Sequence, residues 1–467
     1  MLRRLLDSPL TYFAAAGLLV VAAIASQFEL RLPARDRRGP EALAELRDRN
    51  DLNVVFIVVD TLRSDRMGMY GYGRPTTPNL DELAASGVVF RRVVAQSSWT
   101  KASMASLWTG TFPSNHGILR YNHALPEEAV LPAEIFREAG YRTAGIWRNG
   151  WISPNFGFGQ GFDTYIRPNA SRERKEILRR HPGTPSIRGT DEDMIESALE
   201  FLDNFGDERF LLYLHAMDVH QYVFDESSAK FGTSYSDAYD QSILWMDRLI
   251  GHLVAQLEER GLMDETLIVL ASDHGEAFRE HGFEGHARDL HREVTYVPFI
   301  LIPPFRLQKG IVVDRVASNV DIWPTILDLL GLPALPGADG ISLVPDMLAA
   351  AGEGSSPPDE QRPVFSELDR HWGQVKEPPD PLVSVTQGNL RLMMRLEAPE
   401  AAKLYDLSTD PMETVDLAES RPEDVTRLRE LVTAHARDGK APWGAPDEVE
   451  LDAMRLDQLR ALGYVIR

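Results

Sequence analysis

Two hydrophobic rhythms alternate along this chain. Short continuous runs of apolar and β-branched residues recur: "NVVFIVV" (53–59), "RTAGIW" (142–147), "FLLYLHAMD" (210–218), "TLIVLASDHGE" (266–276) and "VPFILIP" (297–303). Such runs predict strands buried on both faces, the pattern of a parallel sheet. Between them, "TPNLDELAASG", "PAEIFREAG", "MIESALEFLDNF" and "AYDQSILWMDRLIGHLVAQLEERG" carry helical spacing. Strands alternating with helices predict an α/β fold with a mostly parallel central sheet flanked by helices. In such sheets ligands gather at the carboxyl ends of the strands, where Asp60, Asp218 and Asp273 stand. From about residue 363 the pattern changes to short strands ("PVFSEL", "LVSVTQG", "LRLMMRL", "KLYDL") and a helix, "EDVTRLRELVTAHARDG". This is a small C-terminal α+β subdomain behind the Gly/Ser/Pro-rich stretch "AAAGEGSSPPDEQRP".

The amino terminus adds a different signal. Leu10 to Ser26 is an uncharged apolar stretch, preceded by Arg3 and Arg4 and followed by a polar linker. It predicts a membrane anchor or a cleaved signal sequence, with the α/β domain membrane-anchored or exported and extracytoplasmic. Arg31, Arg35, Arg37 and Arg38 leave the orientation open. The expected organisation is therefore an anchor or signal at 1–28, a linker at 29–51, the main α/β domain at 52–362 and the subdomain at 363–467. A basic segment, 168–189, reads as an exposed insertion. The formal net charge of −21 argues against nucleic acid as a partner. With no cysteine, disulfides, thiolate metal sites and a cysteine nucleophile are excluded.

Asp60, Asp273 and His274 close two strands, a donor set suited to Zn, Mn, Mg or Ca. Thr100 lies at the start of a helical pattern, where unpaired N–H groups favour an anion. It reads either as a helix cap or as a hydroxyl that a divalent metal could activate. Seven of the 12 histidines fall between 215 and 291. Among them, His220 could bind an ester or protonate its leaving group. A two-metal arrangement using Asp218, His220 and His286 is a further possibility.

Taken in order, "VVDTLRSDRMGMYGYGRPTTPNLDELAASGVVF", "WTKASMASLWTGTFPSNHGI", "SDHGE", "YVPFILIPP", "VDIWPTILDLLGLPALPGADGISLVP" and "KLYDLSTDPMETVDLAE" resemble the sulfatase family of the alkaline phosphatase superfamily. The resemblance runs from about Asn53 to about Leu431. It implies hydrolysis of sulfate or phosphate esters at a divalent metal, on a large α/β domain with a small C-terminal subdomain. It further implies Asp60, Thr100, Asp273 and His274 as metal ligands, with Thr100 as nucleophile. His220 and His286 would take catalytic and substrate-binding roles, and Arg148 and Asn149 would bind substrate.

The chain departs from the family at the strip usually converted to formylglycine. Here it reads Thr100-Lys101-Ala102-Ser103-Met104, so no formylglycine is expected. The set looks like the threonine-nucleophile branch of the superfamily. The expected function is a metal-dependent ester hydrolase acting on a small-molecule, glycan or lipid anionic ester. The alternatives are a phosphoryl head-group transferase at the membrane surface, or an inactive binding protein on the same fold.

Overall fold

A computed structural model describes residues 36–168, 177–179, 189–353, 362–372, 378–439 and 442–451. Main-sheet strands are β1 (Asn53–Val59), β2 (Val88–Val94), β3 (Arg142–Trp147), β4 (Thr164–Ile166), β5 (Phe210–Ala216), β6 (Thr266–Ala271), β7 (Tyr296–Ile302) and β8 (Ile311–Ser318). They form one eight-stranded sheet in the order β8-β2-β7-β6-β1-β5-β3-β4. All seven residues of β1 are buried, as its continuous apolar run requires. Alternate side chains point to opposite faces, and the core divides accordingly. Val54, Phe56 and Val58 join one cluster, while Val55, Ile57 and Val59 join the other.

Helices cover both faces: α1 (Pro78–Ala84), α2 (Thr100–Thr109), α3 (Asp191–Phe205), α4 (Tyr235–Glu259) and α5 (Ile322–Leu329). Phe56 meets Trp323 of α5 at 4.7 Å and Trp108 of α2 at 5.9 Å between ring centres. The opposite face packs against Ile195, Ala198 and Leu202 of α3 and Ile243, Ile250 and Leu253 of α4. Ser234 starts α4 with a capping box, its Oγ accepting from Asp237 N–H and the Asp237 carboxylate accepting from Ser234 N–H.

"VPFILIP" is buried as expected but runs the other way. β7 is antiparallel to both β6 and β2, whereas the other pairs in the sheet are parallel. A parallel return would need a crossover to the opposite end of the sheet. Here the chain leaves β6 and re-enters β7 at the same end, so residues 272–295 stay above the strand ends that matter. Periodicity alone does not report strand direction, because both partners are equally apolar.

The C-terminal subdomain is an antiparallel sheet of β9 (Val364–Asp369), β10 (Pro381–Gln387), β11 (Leu390–Arg395) and β12 (Ala398–Asp406), covered by α6 (Pro422–Asp438). Its own core includes Val383, Val385, Leu392, Leu404, Leu428 and Val432. β9 docks beside β2, with Glu367 N donating to Gln96 O and Ser366 Oγ to Ala95 O, each at 2.7 Å. The segment expected as linker contributes more than spacing. Ala42, Leu43 and Leu46 of a short helical stretch are buried in the main core.

The apolar stretch 10–26 lies outside the described residues, as does most of the basic insertion. Ile177–Arg179 of that insertion pairs antiparallel with Val223–Asp225. Among the described residues no helix is long and apolar enough to cross a membrane.

One contact between subdomains titrates. His281 Nδ1 meets Glu293 Oε1 at 2.7 Å, and Nε2 meets Glu413 O at 3.0 Å. Burial alone would lower this imidazole, but the Glu293 carboxylate raises it to about 9. The stabilisation is complete below the ordinary value of 6.5 and is lost as pH climbs through about 9. His281→Gln is therefore expected to lower the urea midpoint at about pH 6 and to change it little at about pH 9.5.

Candidate active site

Five chain segments converge at the carboxyl end of the sheet. Asp60 follows β1, Thr100 follows β2 and opens α2, Asn149 follows β3, His215 sits at the end of β5, and Asp273 and His274 follow β6. Asp60, Thr100, Asn149, His215, Asp273 and His274 are all fully buried. Asp60 is placed by an unusual turn. Thr61 has φ 62°, a left-handed conformation that a β-branched residue adopts only when its surroundings hold it there. Thr61 N–H donates to Asp273 Oδ1 at 3.2 Å, and the Tyr239 hydroxyl donates to Thr61 O at 2.6 Å.

Helix α2 is buried along its whole length despite four hydroxyl residues. Its serine hydroxyls find partners: Ser103 Oγ donates to Asp273 O at 2.5 Å, and Ser106 Oγ meets His116 Nε2 at 2.9 Å. Gly110, at φ 67°, ends it in the left-handed conformation. The register puts Thr100 Oγ1 3.1 Å from His274 Nε2 and 3.3 Å from Asn149 Nδ2. Lys101 turns away, donating to Tyr121 O and standing 3.4 Å from the centre of the Phe156 ring.

Hydrogen bonds fix the protons. His274 Nδ1 faces Gly275 O at 3.0 Å, and a carbonyl only accepts, so Nδ1 carries the hydrogen and Nε2 presents a lone pair. Asn149 Oδ1 accepts from Trp151 N–H, which turns its Nδ2 toward Asp60 Oδ2 at 2.6 Å and toward Thr100. His215 Nε2 stands 3.1 Å from the same Asp60 oxygen and is braced at Nδ1 by Tyr213 OH at 2.7 Å.

The remaining oxygens test whether a metal fits. Asp60 Oδ1 and Asp273 Oδ2 are buried and meet no hydrogen-bond partner among the described residues. One ligand atom from each of Asp60, Asp273 and His274 lies within 4.8 Å of the others. Two anionic oxygens at that spacing repel by about 3 kcal/mol at an effective dielectric of roughly 20. A divalent cation would relieve that repulsion and occupy both orphaned oxygens, so the donor set fits one. Burial raises both carboxyls. The imidazoles of His220 and His215 nevertheless hold Asp60 well below the usual range, while Asp273 is raised by burial and by the Asp60 charge.

Two further histidines flank this point. His286 Nδ1 meets the buried Glu276 Oε2 at 3.1 Å, and its ring lies 4.7 Å from that of His274 and 5.0 Å from that of His220. Burial opposes its protonation, but Glu276 prevails and raises its pKa. His220 is pushed down to about 4 by burial, and neither of its ring nitrogens has a hydrogen-bond partner among the described residues. The two neighbouring imidazoles are thus pushed in opposite directions, His220 down and His286 up.

Arg148 is brought to the rim but is engaged elsewhere. Its Nη1 donates to Asp191 and Asp218, and Nη2 donates to Gly189 O. Asp218 also accepts from Asp191 N–H and Trp245 Nε1. This occupies Asp218 and removes it from the two-metal arrangement with His220 and His286. Arg148 is thus held by groups of its own fold. Sequence reasoning assigned no role to His215, Glu276 or Ser98. His215 had a readable signal: it lies two residues after Tyr213 in an apolar strand, on the same face.

Comparisons agree with this architecture. The sulfatase family model matches residues 52–332. Arylsulfatase A of Homo sapiens is 28% identical over 473 residues, covering 85% of this chain and 90% of that one. A Bacteroides thetaiotaomicron structure assigned as a sulfatase superposes with a TM-score of 0.69 at 20% identity, covering 87% of this chain and 96% of its own. The phosphonate monoester hydrolase of Agrobacterium radiobacter gives 0.64 at 19% identity, covering 86% and 100%. At these identities the two structures speak for the fold.

Proposed function

This chain belongs to the sulfatase family, whose relatives here are sulfuric ester hydrolases, and from that premise we propose hydrolysis of an anionic ester at a divalent-metal site with Thr100 as nucleophile. One observation carries the reading: the buried Thr100 hydroxyl stands 3.1 Å from His274 Nε2, beside the orphaned oxygens of Asp60 and Asp273. Asp60, Asp273 and His274, with Thr100 Oγ1 beside them, would hold the metal. When bound, a divalent ion supplies positive charge that lowers the pKa of an adjoining hydroxyl and draws charge from ester oxygens.

The chain's own residues supply the rest. Thr100 Oγ, its proton released to solvent as the hydroxyl ionises, forms a bond to the sulfur of the ester while the bond from sulfur to the leaving oxygen breaks. Asn149 Nδ2 donates toward Thr100 Oγ1, favouring its deprotonated form. The N-terminus of α2 adds partial positive charge at the same point. His220, kept neutral, donates to a non-bridging ester oxygen. His286, with Nδ1 held by Glu276, delivers the proton on Nε2 to the leaving oxygen. In the second step water attacks the sulfur of the threonine ester, giving one proton to His286 and the other to Thr100 Oγ, so that Thr100 leaves as its hydroxyl and sulfate is released.

A phosphorus ester is the second reading, and the threonine favours it. Threonine cannot form the hydrated aldehyde that ejects sulfate by breaking a carbon–oxygen bond. Its covalent ester must be cleaved by attack at the central atom, a step familiar for phosphoryl groups. Full-length protein assayed on 4-nitrophenyl sulfate, phosphate, phosphodiester and phosphonate esters, with Mn, Zn, Ca and Mg in turn, separates the readings. Turnover of the sulfate alone selects the first, and turnover of phosphorus esters alone the second. The substrate is proposed to be a small-molecule or glycan ester. The domain is placed outside the cytoplasm on the strength of the apolar stretch 10–26, and cell fractionation checks that placement.

The pH profile follows from Glu276. If protonated His286 is the acid, kcat falls on the alkaline side, with the limb shifted upward from the ordinary imidazole value. Glu276→Gln removes the carboxylate that holds the proton, so this limb is expected to move to lower pH. A limb that stays in place would remove His286 from the role of acid.

A further inference from the structure

Residues 272–295 carry His274, Glu276 and His286 on one side and face the C-terminal subdomain on the other. We propose that Glu413 and Arg391, both from that subdomain, are positioning residues of the reaction: they hold this segment from behind and so set where His286 stands relative to Thr100. The inference rests on the reading of His286 as the group that protonates the leaving oxygen.

Glu413 follows β12, is 1% exposed and has φ 57°. All three of its acceptor oxygens act on the segment or its clamp. Its carbonyl meets His281 Nε2 at 3.0 Å, Oε2 accepts from Arg292 N–H at 3.0 Å, and Oε1 meets Arg391 Nη1 at 3.1 Å. Arg391, on β11 and fully buried, donates through Nη2 to Leu290 O and, at 2.9 Å, to Thr295 Oγ1. Its contact within its own sheet is Ser384 Oγ at 3.2 Å. Positions 281, 290, 292 and 295 are therefore all tied to one buried ion pair.

The opposite side of the same turn is tied to the nucleophile's strip. Ala287 N–H donates to Ser98 O at 2.8 Å, and Ser98 Oγ donates to Asp289 O at 2.6 Å, two residues before Thr100. Ala287, next to His286, has φ 56°. Left-handed backbone at alanine and glutamate persists only where the surroundings over-determine it. Here the turn at His286 is gripped between Ser98 and the Glu413–Arg391 pair. A buried ion pair is a weak device for stability alone, since apolar residues of similar volume often serve as well. This pair ends mainly on backbone and hydroxyl groups of the active-site segment, which fits positioning. A long loop needs that restraint, because a displacement of roughly 1 Å is enough to cost a large factor in rate.

The test is the dependence of kcat on leaving-group basicity, using substituted phenyl esters of whichever acid shows turnover, on full-length metal-loaded protein. His286→Gln should slow an unsubstituted phenyl ester by about 100-fold and a 4-nitrophenyl ester by only a few-fold, because a good leaving group needs no proton. Glu413→Gln keeps shape and the Arg292 acceptor but removes the charge facing Arg391. It is expected to show the same slope at smaller size, about tenfold against less than about twofold, with KM unchanged. Ser98→Ala, which removes only the Oγ bond on the other side of the turn, should reproduce that slope if Glu413→Gln does not fold. Equal losses across the series in the variants that fold overturn the inference. A steep His286→Gln series beside a flat Glu413→Gln series overturns it alone, whereas a flat His286→Gln series overturns the His286 reading and this role together.

Discussion

Thr100→Ala is expected to lower kcat by about 10⁴-fold or more while the protein stays folded and still binds metal, and Thr100→Ser to retain turnover within about tenfold. Both follow from the position of one atom. Oγ1 is the hydroxyl that the α2 N-terminus, Asn149 and His274 share, and alanine removes it together with the methyl group. Serine restores it without the methyl group, so the loss there reflects only looser orientation. Single-turnover kinetics and mass spectrometry of acid-quenched enzyme check the chemistry, because a covalent threonine ester adds the mass of the transferred group at Thr100. Turnover of the alanine variant at the wild-type rate, with metal bound, would show that water or another side chain attacks.

Chelation should produce the second large effect, and it can be read without any substrate. Stripping divalent metal would leave the buried oxygens of Asp60 and Asp273 without a compensating charge, so the apo protein is expected to melt several degrees lower. A cation at about 1,000 times its dissociation constant stabilises the folded chain by about 4 kcal/mol. Adding back Zn, Mn, Ca or Mg should restore the melting temperature together with activity. Asp273→Asn removes one charge and should make the apo form less unstable while abolishing most of the metal response. Melting curves of wild type and Asp273→Asn across a metal titration test this. A wild-type curve unmoved by every cation would count against the site.

Much of the architecture was legible because its signal is local. "NVVFIVV" reads as a doubly buried strand and is one, since a parallel sheet covered on both faces leaves no polar position along it. The same holds for α4, whose apolar spacing is visible within the helix itself. The placement of Asp60, Asp273 and His274 at strand ends was legible too, and the structure brings them to one point with Thr100 and Asn149. Arg148 shows the limit of that approach. Its neighbour Asn149 reaches Thr100, whereas Arg148 is bound by Asp191 and Asp218, 43 and 70 residues away in sequence. No local pattern announces partners at that separation.

The sequence by itself determined the class of fold, the order of its elements, the absence of a cysteine-derived nucleophile and the family resemblance. Each depends on residue identity or on a repeat of a few positions. Only the tertiary structure decided the direction of β7, the pairing of Glu276 with His286, the brace from Tyr213 and His215 onto Asp60, and the grip of Glu413 and Arg391 on the active-site segment. Those are relations between side chains distant in sequence, set by which strand ends meet and which buried charges must find partners. A chain can record the groups it carries, but which of them share a proton or a metal is fixed by distances of about 3 Å that exist only once it has folded.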